Sequence, residues 1–213
     1  MTPFVIAVDG PAASGKGTVS GGLGRLYGYP VLDTGLLYRA VGAGVLAAGG
    51  ELDDAAFAGA VAAALRAKRL EDPALRTREA GEAASRVAVH PQVRDALLAF
   101  QRRFAAQAPG SVIDGRDIGT VIVPDASAKL FVTASPEVRA HRRWLQLKES
   151  GVPYDEVLED IRRRDERDSG RAAAPLVRAD DAVLLDTSEM TIDQAADAAR
   201  RIVEAARASW EQS

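Results

Sequence analysis

The chain has 213 residues, 47% of them hydrophobic and 27% charged, a formal net charge of −3 and no cysteine. These values describe one compact domain with small appendages at most, and they exclude disulfides and thiolate metal sites. The charge gives no basis for nucleic-acid or membrane-surface binding, and the two histidines, His90 and His141, are too far apart for a histidine-rich metal site. No apolar run approaches the ~18 residues of a membrane span, and the N-terminus lacks the basic segment of a signal peptide, so a cytoplasmic location is expected.

Phe4 to Val8 is an uninterrupted apolar run, which predicts a buried parallel strand. Asp9 closes it, and Gly10, Gly15 and Lys16 follow at the spacing of a phosphate-binding loop. Glycines let backbone N–H groups converge on phosphate oxygens, the next helix adds its dipole, and Lys16 places a cation near the β- and γ-phosphates. Gly17 stands where the general pattern has Ser or Thr, and the hydroxyl comes one residue later at Thr18. The metal ligands are therefore not fixed by the loop.

Gly17 to Leu26 is predicted as the helix behind the loop, with Val19, Leu23 and Leu26 as its apolar stripe. Val31-Leu32 is a short strand ending in Asp33-Thr34-Gly35, a cap for a helix from Leu36 to about Ala48. Arg39, next to Tyr38, could clamp a phosphate, although a surface arginine is the commoner case for such a position taken alone. Asp53 and Asp54 can cap a helix from Ala55 to Lys68, whereas Pro73, Gly81 and the charges of residues 69–90 predict short irregular elements. Gln92 to Phe104 has helical spacing, with Val93, Ala96, Leu97 and Phe100 on one face and Arg94 on the other, directed away from the core.

Ser111 to Asp114 predicts a strand ending in a carboxylate, a candidate for orienting magnesium and its waters, followed by Arg116 and Asp117. Lys129 to Thr133 is another strand, and Pro136 opens a helix to about Lys148. From Tyr154 to Arg171 an amphipathic segment becomes almost wholly charged, with Arg164, Arg167, Asp168 and Arg171 on one helical face. That is either a solvated helix laced with pairs such as Arg164–Asp168 or, beside a phosphate loop, a lid that brings positive charge to a transferring phosphoryl group. Ala182 to Asp186 is the last strand. Thr191 to Ser209 is the closing helix, with Ile192, Ala195, Ala199, Ile202 and Val203 facing inward. The order predicts an α/β fold with about five parallel strands and helices on both faces, and insertions at 34–105 and 148–171.

The loop GPAASGKGT resembles that of nucleoside monophosphate kinases. Asp33-Thr34-Gly35-Leu36-Leu37-Tyr38-Arg39, Asp114-Gly115-Arg116-Asp117-Ile118-Gly119-Thr120-Val121, the Arg164–Leu176 segment and Leu185-Asp186-Thr187-Ser188 together resemble bacterial cytidylate kinase over nearly the whole chain. The resemblance implies a three-layer P-loop kinase fold in which 34–105 binds the monophosphate and 148–171 is the lid. It implies ATP and magnesium as cofactors, CMP and dCMP as substrates, and a cytoplasmic monomer without nucleic-acid or membrane partners; UMP or another monophosphate is the alternative acceptor. Gly10, Pro11, Ala12, Ala13, Ser14, Gly15, Lys16, Gly17 and Thr18 would hold the ATP phosphates. Lys16, Arg116, Arg164 and Arg171 would be catalytic. On the acceptor side, Arg39 would bind the phosphate with Arg116 near it, Ser85, Arg94 and Asp117 would face the cytosine and its sugar, and Asp33 and Tyr38 would be further substrate-binding residues. Arg164 and Asp168 would contact the ribose, and Arg171 a phosphate. Residues 66–80 are shorter than the insertion usual in the family, though Leu75-Arg76-Thr77 and Gly81 to Ser85 still match. A guanine-reading Asn-Lys-x-Asp segment, which a GTP-dependent switch needs, does not occur.

Overall fold

The computed structural model describes residues 2–147 and 151–212, without the side chains of 67 and 68. Strands β1 (Phe4–Asp9), β2 (Val31–Asp33), β3 (Gly110–Gly115), β4 (Ala128–Thr133) and β5 (Val183–Asp186) form one sheet in the order β2-β3-β1-β4-β5. β1 pairs in parallel with β3 on one side and β4 on the other, and β4 pairs in parallel with β5. The three inner strands have six residues each, whereas β2 has three and β5 four. Every residue of β1 and β3 is buried, and in β1 the continuous apolar run Phe4 to Val8 is that of a strand covered on both faces. Register sets Val8 beside Asp114 and Asp9 beside Gly115, so the carboxyl ends of β1 and β3 finish level. That end of a parallel sheet is where ligands bind.

Helices α1 (Lys16–Tyr27) and α8 (Ile192–Trp210) supply Val19, Leu23, Ala199 and Val203 to a core with Phe4, Ile6, Val8, Val112, Leu130 and Val132. Two residues expected in this core are not there. Leu26 is 55% and Ile192 70% exposed, each in a terminal turn of its helix.

Asp33–Phe104 forms one compact unit and the chain on either side of it forms the other. The Asp33–Phe104 unit contains α2 (Thr34–Ala47), α3 (Ala55–Ala63), α4 (Arg78–Val87) and nearly all of α5 (Pro91–Ala105), with 3₁₀ turns at Ala67–Glu71 and Pro73–Arg76. Three boundaries differ from expectation. α2 starts at Thr34, not Leu36, and Asp33 makes no side-chain cap bond. α3 stops at Ala63 rather than Lys68, although Asp54 caps it as expected by accepting from Phe57 N–H. The supposedly irregular 69–90 stretch holds all of α4, capped by Thr77. Its buried face is Ala80, Ala83, Ala84 and Val87, small enough that a Cβ on Gly42 of α2 would lie only 2.8 Å from the Ala83 Cβ.

In the other unit, α6 (Pro136–Gln146) and α7 (Tyr154–Gly170) pack together around Ala140, Val157 and Ile161, against Ala12. α6 ends before Lys148, which with 149 and 150 lies outside the described residues.

Candidate active site

Residues 10–15 connect β1 to α1. Gly10 has φ +147°, and a Cβ there would stand 1.9 Å from the Val132 carbonyl oxygen, so only glycine fits. Ala13 holds a left-handed φ of 59°, a strained conformation for alanine of the kind that gathers at functional sites. Gly15, at φ 91°, caps α1. Lys16 is buried and its Nζ donates to the Pro11 carbonyl at 2.9 Å, which folds the side chain back over the loop.

The loop's carbonyls are tied from outside. Arg139 Nη1 donates to Ala12 O at 3.2 Å and Thr187 Oγ1 to Ser14 O at 3.1 Å. Arg142 binds Thr187 Oγ1 at 2.9 Å and Thr187 O at 2.7 Å. With carbonyls drawn outward, the peptide N–H groups turn inward, the arrangement that cradles anions. Thr187 belongs to the Leu185–Ser188 motif, which carried no role in the sequence, whereas Arg139 and Arg142 stand in no motif. The only sequence signal of the two arginines is their spacing of three on α6, which solvated helices share.

Two carboxylates end the neighbouring strands. Asp9 accepts from the N–H groups of Ile118 and Gly119, each at 2.8 Å, and burial pushes its carboxyl up to about 6 against the pull of those bonds. Asp114 is buried and accepts from Ser20 Oγ at 3.4 Å. A Cβ on Gly17 would lie 3.8 Å from Asp114 Oδ2, so the glycine keeps space beside that carboxylate. No group of three or more His, Cys, Asp or Glu that could enclose a metal occurs among the described residues. A single buried carboxylate with space at a phosphate loop fits magnesium, which keeps most of its waters and takes its other ligands from phosphates.

Asp168 gathers the arginines. Arg116 Nε donates to its Oδ2 at 2.9 Å, and Arg164 Nε lies 3.9 Å from the same oxygen. Burial opposes the charged carboxylate, but Arg116, Arg164 and Arg171 together outweigh it and hold the Asp168 carboxyl below its usual range. Arg171 is not on the shared helical face expected of it. α7 ends at Gly170, and Arg171 is buried in the following turn, donating to Ala174 O at 2.8 Å. Asp165, one turn before Asp168, pairs with Arg139, so α7 is linked to the residue that holds the phosphate loop.

In the Asp33–Phe104 unit, Arg39 Nη1 donates to the carbonyls of Leu75 and Thr77 at 2.7 and 3.0 Å. Arg94 corrects the expectation that it points outward. It is only 8% exposed, its Nη1 donates to Ala88 O at 3.4 Å, and its guanidinium carbon lies 5.8 Å from the Tyr38 ring centroid, a cation–π distance. The cover comes from α4 and the aromatic ring, neither of which helical spacing in α5 reveals. Ser85 is buried with no hydrogen-bond partner for its hydroxyl among the described residues. Asp33 is exposed.

The sequence pattern of the cytidylate kinase family matches residues 6–205. The chain belongs to the cytidylate kinase family. It is 68% identical over 209 residues to a cytidylate kinase of Caulobacter sp. (strain K31), with 97% of each chain covered. It is 65% identical to one of Xanthobacter autotrophicus, covering 96% of this chain and 99% of the other, and 58% identical to one of Rhodopseudomonas palustris, covering 96% and 98%. The crystal structure of an uncharacterized protein from Eubacterium ventriosum superposes with a TM-score of 0.55 at 17% identity over 94% of this chain and 98% of that one, a likeness of fold alone. As a cytidylate kinase family member the chain is a nucleotide-binding phosphotransferase, and the α/β fold with a five-stranded parallel sheet is the one expected from the sequence. No helix among the described residues is long and apolar enough to cross a membrane.

Proposed function

We propose that this chain transfers the γ-phosphoryl group of ATP to the phosphate of CMP or dCMP, giving the diphosphate and ADP. The observation that carries the reading is the pairing, within one unit, of a phosphate loop holding a buried lysine with a cluster of arginines around Asp168. A phosphate loop alone handles one nucleotide; additional guanidiniums are needed where a second phosphate must approach the first. An oxygen of the acceptor phosphate attacks the γ-phosphorus in line as the bond to the β-phosphate oxygen breaks. Such a transfer needs alignment and charge neutralisation rather than a covalent nucleophile.

Gly10 to Thr18 would hold the donor phosphates by backbone N–H groups, with Lys16 following the γ-phosphoryl as its charge spreads. Arg116, Arg164 and Arg171 would neutralise the acceptor phosphate and the equatorial oxygens. Asp168 holds Arg116 in place and, with Arg164, would contact the ribose hydroxyls. Arg39 would serve the acceptor phosphate, with Tyr38 next to it and Asp33 before α2 as further substrate-binding residues. Asp117 can accept from the cytosine amino group, while Arg94 and Ser85 can donate to its N3 and O2. Asp114 would hold magnesium and its waters beside the loop, and the ion would supply positive charge to the phosphates. We place the enzyme in the cytoplasm as a monomer, which sedimentation would test.

An acceptor panel with ATP and magnesium, followed by product identification, tests the assignment. CMP and dCMP should be consumed fastest, with ADP formed in equal amount. Turnover of another monophosphate but of neither CMP nor dCMP would refute the substrate while leaving the kinase class intact.

A further inference from the structure

We propose that Asp9 is a positioning residue for the acceptor side of the reaction: its carboxylate holds the backbone just after Arg116 and Asp117, and so fixes those two side chains relative to the phosphate loop that begins at the next residue. The inference rests on the roles proposed above for Arg116 and Asp117.

The chain leaves β3 at Gly115, passes Arg116 and Asp117, and enters a wide turn over Ile118–Ile122 in which Ile122 N–H bonds Asp117 O at 3.1 Å and Val123 N–H bonds Ile118 O at 2.7 Å. The opening N–H groups of such a turn lack partners within it. Here Asp9, at the end of a different strand, accepts both: Ile118 N–H at Oδ1 and Gly119 N–H at Oδ2, each at 2.8 Å. One carboxylate gripping two consecutive amides fixes the direction of the turn as well as its place. Gly119 makes room for the grip, since a Cβ there would lie 3.4 Å from Asp9 Oδ2 and 3.1 Å from the Lys129 side chain.

On its other side Asp9 leads directly into Gly10, which is wedged against the Val132 carbonyl. Neither end of the link can drift. The donor loop and the Arg116–Asp117 segment are therefore joined through one residue, which faces Lys16 and Asp117 as its charged neighbours. Burying a carboxylate there is unfavourable, as its upward shift shows, and an apolar strand end would avoid the penalty but leave the two amides without an acceptor.

The test is Asp9→Asn, which keeps the shape but sets an NH₂ group against one of the two N–H donors. Active protein is counted by titration with a non-hydrolysable ATP analogue. A misplacement of the order of 1 Å costs about 100-fold, so kcat/KM for CMP should fall by about that factor, with KM for CMP raised, while the Kd of the ATP analogue stays within twofold. Combined with Asp117→Ala, the double variant should lose less than the two single losses multiplied together, because the part of the Asp9 effect that runs through Asp117 is already gone and only the part through Arg116 remains. Unchanged CMP kinetics, or equal losses for ATP and CMP, would overturn the inference. Additive losses would also overturn it while leaving the role of Asp117 standing. If Asp117→Ala itself leaves CMP kinetics unchanged, the reading of Asp117 fails, and Asp9→Asn combined with Arg116→Ala becomes the deciding pair, where additive losses overturn the inference. Should Asp9→Asn yield no folded protein, Asp9→Glu, which moves the carboxylate by one methylene, is judged by the same readouts.

Discussion

Replacing Ser85 by alanine separates stability from binding, because the hydroxyl does nothing visible for the free protein. It is buried in α4, with the residue only 2% exposed, and its Oγ has no hydrogen-bond partner among the described residues. A buried polar group in that condition costs about 1–3 kcal/mol. Ser85→Ala removes it with almost no change of volume, so the variant should be more stable by about 1 kcal/mol, the lower end of that range. For a chain of this size that raises Tm by about 2–4 °C. If the hydroxyl donates to cytosine, the same change removes one neutral hydrogen bond worth about 0.5–1.5 kcal/mol, and KM for CMP rises about 2- to 12-fold. Circular-dichroism melts of the free protein, repeated with saturating CMP, together with steady-state kinetics, read both effects. The stabilisation by CMP should shrink as its affinity falls. A lower Tm in the free variant, or a KM for CMP within 1.5-fold of the parent, would refute the reasoning.

Gly10→Ala should yield little folded protein, since its Cβ would meet the Val132 backbone oxygen at 1.9 Å in a strand that is paired on both sides; soluble yield and a melt decide it, and a normal Tm would contradict the geometry. Lys16→Ala should lower kcat/KM by about 10³-fold, at the upper end of what one removed electrostatic contact costs, while its melt shows the fold intact; near-normal turnover would contradict its role. Asp168→Ala leaves Arg116 and Arg164, whose side chains are 17% and 20% exposed, clustered without their anion. Because that partial hydration softens the loss, the expected destabilisation is about 2 kcal/mol rather than the about 3–5 kcal/mol of a fully buried pair. The folded carboxyl is held below its unfolded value, so the stabilisation is present at neutral pH and disappears as pH falls below about 4 through the folded value. Denaturant melts of parent and variant should therefore differ at neutral pH and converge in acid, and a gap that stays constant would count against the pairing.

The parts of this fold that could be read in advance are those whose signal is local. Phe4 to Val8 is apolar at every position, and the Gly10–Lys16 spacing permits few other conformations. Helix α4 was hidden because Gly81 reads as a breaker and the surrounding charges as a loop, although Gly81 lies buried inside the helix and its small buried face recurs at helical spacing. Arg94 was misdirected because the spacing of α5 describes one helix, while its burial is made by Tyr38 and the carbonyl of Ala88. Arg139 shows the same limit. Its ion pair with Asp165 spans 26 positions and its bond to Ala12 spans 127, separations that no pattern within a helix encodes. Arg171 joins Arg116 and Arg164 at Asp168 because the chain turns after Gly170, not because helical spacing aligns it.

The lengths of the strands bear on solubility. Six-residue strands occupy the interior of the sheet, and its borders are the shortest strands, β2 with three residues and β5 with four. A border strand offers its unused amides and carbonyls to any extended segment that drifts past, and a long flat one invites stacking into fibrils. Val183 and Leu184 on β5 are about half exposed, which would make a longer border adhesive. At four residues it gives a passing strand too few rungs to hold, so brevity here protects the chain against self-association.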